Sequence, residues 1–266
     1  MSAAVEDDTS GTWRRYQYVL WTDVLSPAWA SLVFFALLVA ALLVALPLLE
    51  QAGTSQAEFY RTVPSLIRQP AVAQALTAIS DLLLLFFLWR IARRVSDAAL
   101  VARYRPARRV LLIIAMLGGM AVAVLTMIAI AQLASHSLVQ FHPKPEEQLF
   151  APGPAYQYPI VIFTVALVAP FVEEFYFRGV LLSWLARKIT LIPAALVSAA
   201  LFGLAHMRFV SHPGAEGWVL TGVVTLVGLV NAALAIRTKS LWPPFFFHAG
   251  YNGALVGLTL LAPYLH

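Results

Sequence analysis

Eight polar side chains fall inside otherwise apolar stretches: Asp81, Glu173, Glu174, Arg178, His206, Asn231, His248 and Asn252. A charge at the centre of a bilayer costs at least about 2.5–3.5 kcal/mol, so each needs a reason to be there. Glu174 and Arg178 are four residues apart, share a helix face and can form an ion pair, which would lower the cost of both. Glu173 is rotated by about 100° from Glu174, and its own i+4 neighbour is Phe177. It must meet a group on another helix, face a water-filled cavity, or remain neutral. Glu173 is therefore the stronger catalytic candidate and Glu174 the stronger structural one, against the plainer reading of two buried structural acids.

His248 and Asn252 are again four apart, behind Pro243-Pro244, which suit the first turn of a helix. His248 then lies near a helix N-terminus, where the dipole favours developing negative charge. Both side chains can donate hydrogen bonds from one face, the geometry needed to hold an oxyanion. The competing reading is an interhelical hydrogen-bonding pair. His206 closes Phe202-Gly-Leu-Ala-His206 and, taken alone, reads as an interfacial histidine. Asn231 reads as helix–helix glue, and Asp81 receives no role.

Amide hydrolysis needs a water, a base and oxyanion donors, and these residue types supply all but the water. Two histidines and a glutamate also suit zinc with a bound water. There is no His-Glu-x-x-His, and asparagine is an uncommon zinc ligand, so the metal-free mechanism is preferred, with no metal and no cofactor expected. No Gly-x-Ser-Gly or Gly-x-Gly-Asp marks a serine or aspartyl intramembrane site.

The elements that must position these groups are membrane helices. Hydrophobic residues make up 61% of the 266 and charged residues 12%, half the roughly 25% of a soluble domain. Spans are expected at Ala28–Leu49, Val72–Leu88, Val110–Leu133, Pro159–Leu182, Leu191–His206, Trp218–Ile236 and Leu241–Leu261. The fold expected is an all-α transmembrane bundle of about seven spans. Glu58–Gln69 reads as an interfacial helix, and Ala134–Tyr158, with several prolines, as an external loop. The domains expected are a cytoplasmic tail over 1–27, a three-span region with that loop over 28–158, and a four-span region with the motif residues over 159–266.

Alternating the loops puts thirteen Lys and Arg on one side and four on the other. By the positive-inside rule the N-terminus is cytoplasmic, in the cell (inner) membrane, with the C-terminus outside. The net charge of +5 is thus topological, and no aromatic-interleaved basic segment suggests nucleic acid. Cysteine is absent, which excludes disulfides and a thiol nucleophile. The N-terminal segment lacks the pattern of a signal peptide. Depths disagree at first. At about 1.5 Å per residue, Glu173 lies roughly 13 Å from the end of its span, His206 over about 20 Å and His248 about 10 Å from the starts of theirs. They converge better if the fourth span runs on to about Lys188.

In order, Glu173-Glu174-x-x-x-Arg178, Phe202-x-x-x-His206 and His248-x-x-x-Asn252 resemble the three signature motifs of the CPBP family. This is the family of CAAX-type prenyl endopeptidases of the Ras-converting enzyme class. The resemblance covers roughly Pro159–Asn252. It implies an intramembrane endopeptidase in which Glu173 and His206 activate a water. On the same footing His248 and Asn252 hold the oxyanion, and Glu174–Arg178 supports them. The implied partner is a membrane-associated peptide or protein, prenylated or not, within the lipid bilayer. The alternative is a non-catalytic bacteriocin-immunity or scaffold protein of the same family. A proton-carrying transporter is disfavoured because inverted repeats are lacking.

Overall fold

The computed structural model describes residues 78–79, 81–83, 85–86, 100–135, 158–206 and 215–261. The first expected span, the segment Glu58–Gln69, most of Val72–Leu88 and all but the ends of the loop Ala134–Tyr158 lie outside them. Residues 78–79, 81–83 and 85–86 are helical. Five long helices follow: α1 (Arg109–Ser135), α2 (Tyr158–Lys188), α3 (Leu191–His206), α4 (Ala215–Thr238) and α5 (Trp242–Leu261). Among the described residues there is no strand, only one isolated bridge between Arg103 and Ser240. The all-α class is as expected, and each helix overlaps its expected span.

Three of them, over Arg109–Leu133, Tyr158–Lys188 and Gly217–Thr238, are long and apolar enough to cross a membrane, and α3 is a shorter apolar helix. Helix α1 is 17% buried across its apolar stretch and α2 is 56% buried, which makes α2 the central helix and α1 peripheral. Large apolar side chains such as Ile114, Leu117 and Leu125 on α1 and Leu226 on α4 point outward, as lipid solvent permits. The core gathers Phe177, Leu181, Leu182, Phe202, Ala232, Ala235 and Leu241 from α2, α3, α4 and the turn before α5.

Small residues let the helices approach closely. A Cβ on Gly119 would strike the Phe247 carbonyl, and one on Gly250 the Met116 carbonyl, so α1 and α5 meet backbone to backbone. A Cβ on Gly203 would lie 2.6 Å from Thr221 O, which fixes the α3–α4 contact.

Helix α2 runs 31 residues without a break, to Lys188. Its backbone is not uniformly α: Thr164–Val168 and Phe175–Leu181 are π-helical, flanking the α turn Ala169–Glu174. Pro170 explains the first of these. An interior proline removes a hydrogen bond and crowds the preceding turn, and a π turn is a way to absorb it. With α2 ending at Lys188, Glu173 lies about 22 Å from that end, as His206 does from the start of α3. His248 is still only about 9 Å into α5.

The remaining offset is filled by chain. Residues 100–108 tuck under the start of α5: Leu241 N–H donates to Arg103 O (2.6 Å) and Ser240 Oγ to Arg105 O (2.6 Å). Val101 N–H donates to Ser183 Oγ on α2 (2.8 Å). Tyr104 stacks on Phe171 at 4.3 Å, lies edge-on to Trp242 at 4.8 Å, and donates its hydroxyl to Phe171 O (2.7 Å). Lys239 takes a positive φ of 54° to turn the chain from α4 into α5.

Candidate active site

Helix α2 presents its two glutamates to different surroundings, as a 100° step requires. Glu174 is fully buried. Its Oε1 accepts from Arg178 Nη1 (3.0 Å), Asn231 Nδ2 (2.8 Å) and His248 Nδ1 (2.9 Å). The i,i+4 ion pair expected with Arg178 is present. Arg178 is itself fully buried, donates from Nη2 to Gly228 O (3.0 Å), and lies over the Phe202 ring at 4.4 Å.

Glu173 faces the two histidines. Its Oε2 is 3.9 Å from His206 Nε2 and 3.7 Å from His248 Nε2. Side-chain exposure is 26% for Glu173 and 23% for His206, against 0% for Glu174, so Glu173 and His206 reach the surface in part, while the Glu173 Oε2 atom facing the imidazoles is itself buried. Three groups from α2, α3 and α5 therefore converge on one point.

Hydrogen bonds orient both rings. His206 Nδ1 lies 2.8 Å from Phe202 O, a carbonyl that only accepts, so Nδ1 carries the proton. His248 Nδ1 meets a carboxylate oxygen already receiving two donors, so it too carries the proton. In the neutral rings each Nε2 then presents its lone pair toward Glu173 Oε2. Phe202 packs between them, its centroid 4.7 Å from His206 and 5.5 Å from His248. Atoms 3.7 and 3.9 Å apart leave an oxygen atom within hydrogen-bond reach of both members of a pair, at about 2.7–3.0 Å.

Asn252 stands one turn further along α5 and is half-buried. Its Nδ2 donates to Val165 O (2.9 Å) in the first π turn. The backbone explains why that carbonyl is available. Ala169 N–H goes to Thr164 O, and Pro170, next in the same register, has no N–H. Asn252 thus uses one of its two amide hydrogens on a carbonyl that Pro170 cannot satisfy. Asn231 joins α4 to α2, the interhelical contact expected of a polar residue in a span. Its role beside Glu174, and that of Gly228, were not readable from motif spacing. Asp81 is helical and half-buried.

A zinc ion would need a tighter donor set than this one. Tetrahedral zinc holds ligands about 2.0–2.1 Å away, hence about 3.3 Å from one another. The separations of 3.7 and 3.9 Å are wider than that, and among the described residues no group of three acids, histidines or cysteines is spaced for a metal ion.

Residues 155–254 match the family model described as type II CAAX prenyl endopeptidase Rce1-like. That segment holds Glu173, Glu174, Arg178, His206, His248 and Asn252, so the resemblance drawn from the three motifs is borne out. The chain is 30% identical over 102 residues, 38% of each chain, to YdiL of Bacillus subtilis (strain 168), named as a candidate membrane peptidase. It is 32% identical over 111 residues, 40% of this chain and 41% of the relative, to the membrane-embedded CAAX protease MroQ of Staphylococcus aureus (strain USA300). The match thus spans about two fifths of these curated relatives. No solved structure matches the chain at comparable significance. With its apolar helices, the chain is an integral membrane protein.

Proposed function

We propose that this protein is an intramembrane endopeptidase in which Glu173, with His206, activates a water for attack on a peptide bond. The observation that carries the reading is the approach of Glu173 Oε2 to both imidazole Nε2 atoms, at 3.7 and 3.9 Å. The water gives one hydrogen bond to Glu173 Oε2 and the other to His206 Nε2. Glu173 takes the proton as the oxygen attacks, and that proton passes to the leaving amine. His248 holds the oxyanion from Nε2 after taking up a proton from solvent there, which gives the doubly protonated ring. Glu174 Oε1 beneath Nδ1 then balances the charge, as the orienting carboxylate does in a triad. Asn252 contributes its second amide hydrogen. A cluster kept for folding alone, the scaffold alternative, has no need to leave the buried Glu173 Oε2 without a hydrogen-bond partner among the described residues.

The substrate class we propose is a membrane-associated peptide, including one ending in a prenylated Cys-aliphatic-aliphatic-X sequence, with the N-terminus of the enzyme cytoplasmic and the protein in the cell membrane. The test uses purified protein in detergent and an internally quenched peptide with a farnesylated cysteine, in parallel with its unprenylated twin. Glu173→Gln is expected to lower the cleavage rate about 10²–10⁴-fold, and a chelator to leave the wild-type rate unchanged. A folded Glu173→Gln protein cleaving at the wild-type rate removes the proposed base.

A further inference from the structure

We infer that Asn231, on α4 and outside all three motifs, is a positioning residue for the reaction proposed above, acting through Glu174 to set the proton on His248. Three donors converge on Glu174 Oε1, from Arg178, Asn231 and His248. The Arg178–Glu174 contact uses one oxygen and one nitrogen. Glu174 Oε2 and Arg178 Nε are both buried without a hydrogen-bond partner among the described residues. Arginine and carboxylate favour a two-pronged grip, so something holds Glu174 out of that geometry. The other two donors on Oε1 do so, and of these only Asn231, fully buried, is independent of the reacting centre.

Helix α4 forms the wall behind this arrangement. One turn before Asn231, Gly228 O receives Arg178 Nη2, and a Cβ on Gly228 would crowd Arg178 Nη2, Phe202 Cδ1 and Ala199 Cα at 3.2 Å each. The guanidinium is therefore anchored to α4 by Gly228 O and the carboxylate by the Asn231 amide. Without the amide, Glu174 is free to turn its two oxygens onto the Arg178 fork. Oε1 then leaves His248 Nδ1, and the ring no longer has a reason to keep its proton on Nδ1 and its lone pair on Nε2. Asn231 thus keeps the Nδ1–H of His248 on Glu174 Oε1, which leaves Nε2 as the nitrogen that takes up the further proton needed to hold the oxyanion.

The experiment is nitrogen NMR of the full-length protein, labelled with 15N-histidine, in detergent micelles, with His248 signals assigned by their loss in His248→Gln. Wild type is expected to show a protonated Nδ1 and an unprotonated Nε2 on His248 near neutral pH. In Asn231→Ala the two nitrogens are expected to average or exchange roles. On the farnesylated quenched peptide kcat falls about 10–100-fold with KM unchanged. If Asn231→Ala does not fold, Asn231→Ser is measured instead, because its hydroxyl can satisfy itself on the preceding helical turn but is too short to replace the amide. An unchanged His248 pattern in a folded variant overturns the inference, even if Glu173→Gln is inactive. A changed pattern with wild-type kcat overturns the positioning role and speaks against His248 in the reaction, leaving the Glu173 test to judge the base.

Discussion

Replacing Arg178 by methionine removes a buried cation while keeping a side chain of similar length. Arg178 is fully buried, donates to Glu174 Oε1 and Gly228 O at 3.0 Å each, and lies 4.4 Å above the Phe202 ring. Each charge-assisted hydrogen bond contributes about 1.5–3 kcal/mol, and a desolvated cation–π contact about 2. Removing the guanidinium also leaves Glu174 sealed from solvent with only Asn231 and His248 to oppose its charge. Breaking a buried pair from one side costs about 3–5 kcal/mol, against a total stability of about 5–15 kcal/mol. Arg178→Met is thus expected to lose about a fifth or more of the stability. Adding Glu174→Gln removes the stranded charge and is expected to recover about 1–3 kcal/mol relative to additivity. The assay is equilibrium unfolding in detergent micelles, followed by far-ultraviolet circular dichroism, over the four-protein cycle. A loss under about 1 kcal/mol in Arg178→Met, or strict additivity in the double variant, would refute the account of Glu174–Arg178 as a buried, mutually dependent pair.

Gly203→Val places a side chain against Thr221 O and Thr225 of α4, an overpacking expected to cost about 1–3 kcal/mol. It pushes α3, and with it His206, away from Glu173, so thermal stability and peptide cleavage should fall together. Wild-type values for both would contradict the close α3–α4 contact. Tyr104 is held well above its ordinary value of 10.0, first by burial and second by the charge of Glu174. The unfolded tyrosine ionises near 10 while the folded one stays protonated, so stability present below that pH is lost as pH rises past it. Melting temperatures from pH 8 to 11 should show a fall above about pH 10 that is shallower in Tyr104→Phe. An equal slope in both proteins rules Tyr104 out as its source.

Local geometry made part of this protein legible from its sequence. Composition dictates lipid as the main solvent, and apolar length dictates helices, because a span must satisfy its own backbone. Spacing within one helix is equally binding. Four residues make one turn, so the Glu174–Arg178 pair and the separate facing of Glu173 follow without knowledge of any neighbour. The prolines opening α5 were readable in the same way.

Contacts between helices were not, because rotation and stagger are set by packing that no single helix encodes. Tertiary structure decided that Glu174, the apparently structural acid, meets His248, and that Asn231 shares the same oxygen. It also decided that Asn252 serves the carbonyl left without a donor beside Pro170. The proline was a visible warning of irregular backbone, but where its displaced bond would go depended on α5. The stagger that brings a shallow His248 to a deep Glu173 was hidden for a related reason. It rests on residues 100–108 folding beneath the start of α5, a contact that joins Arg103 to Leu241 across the four helices α1 to α4.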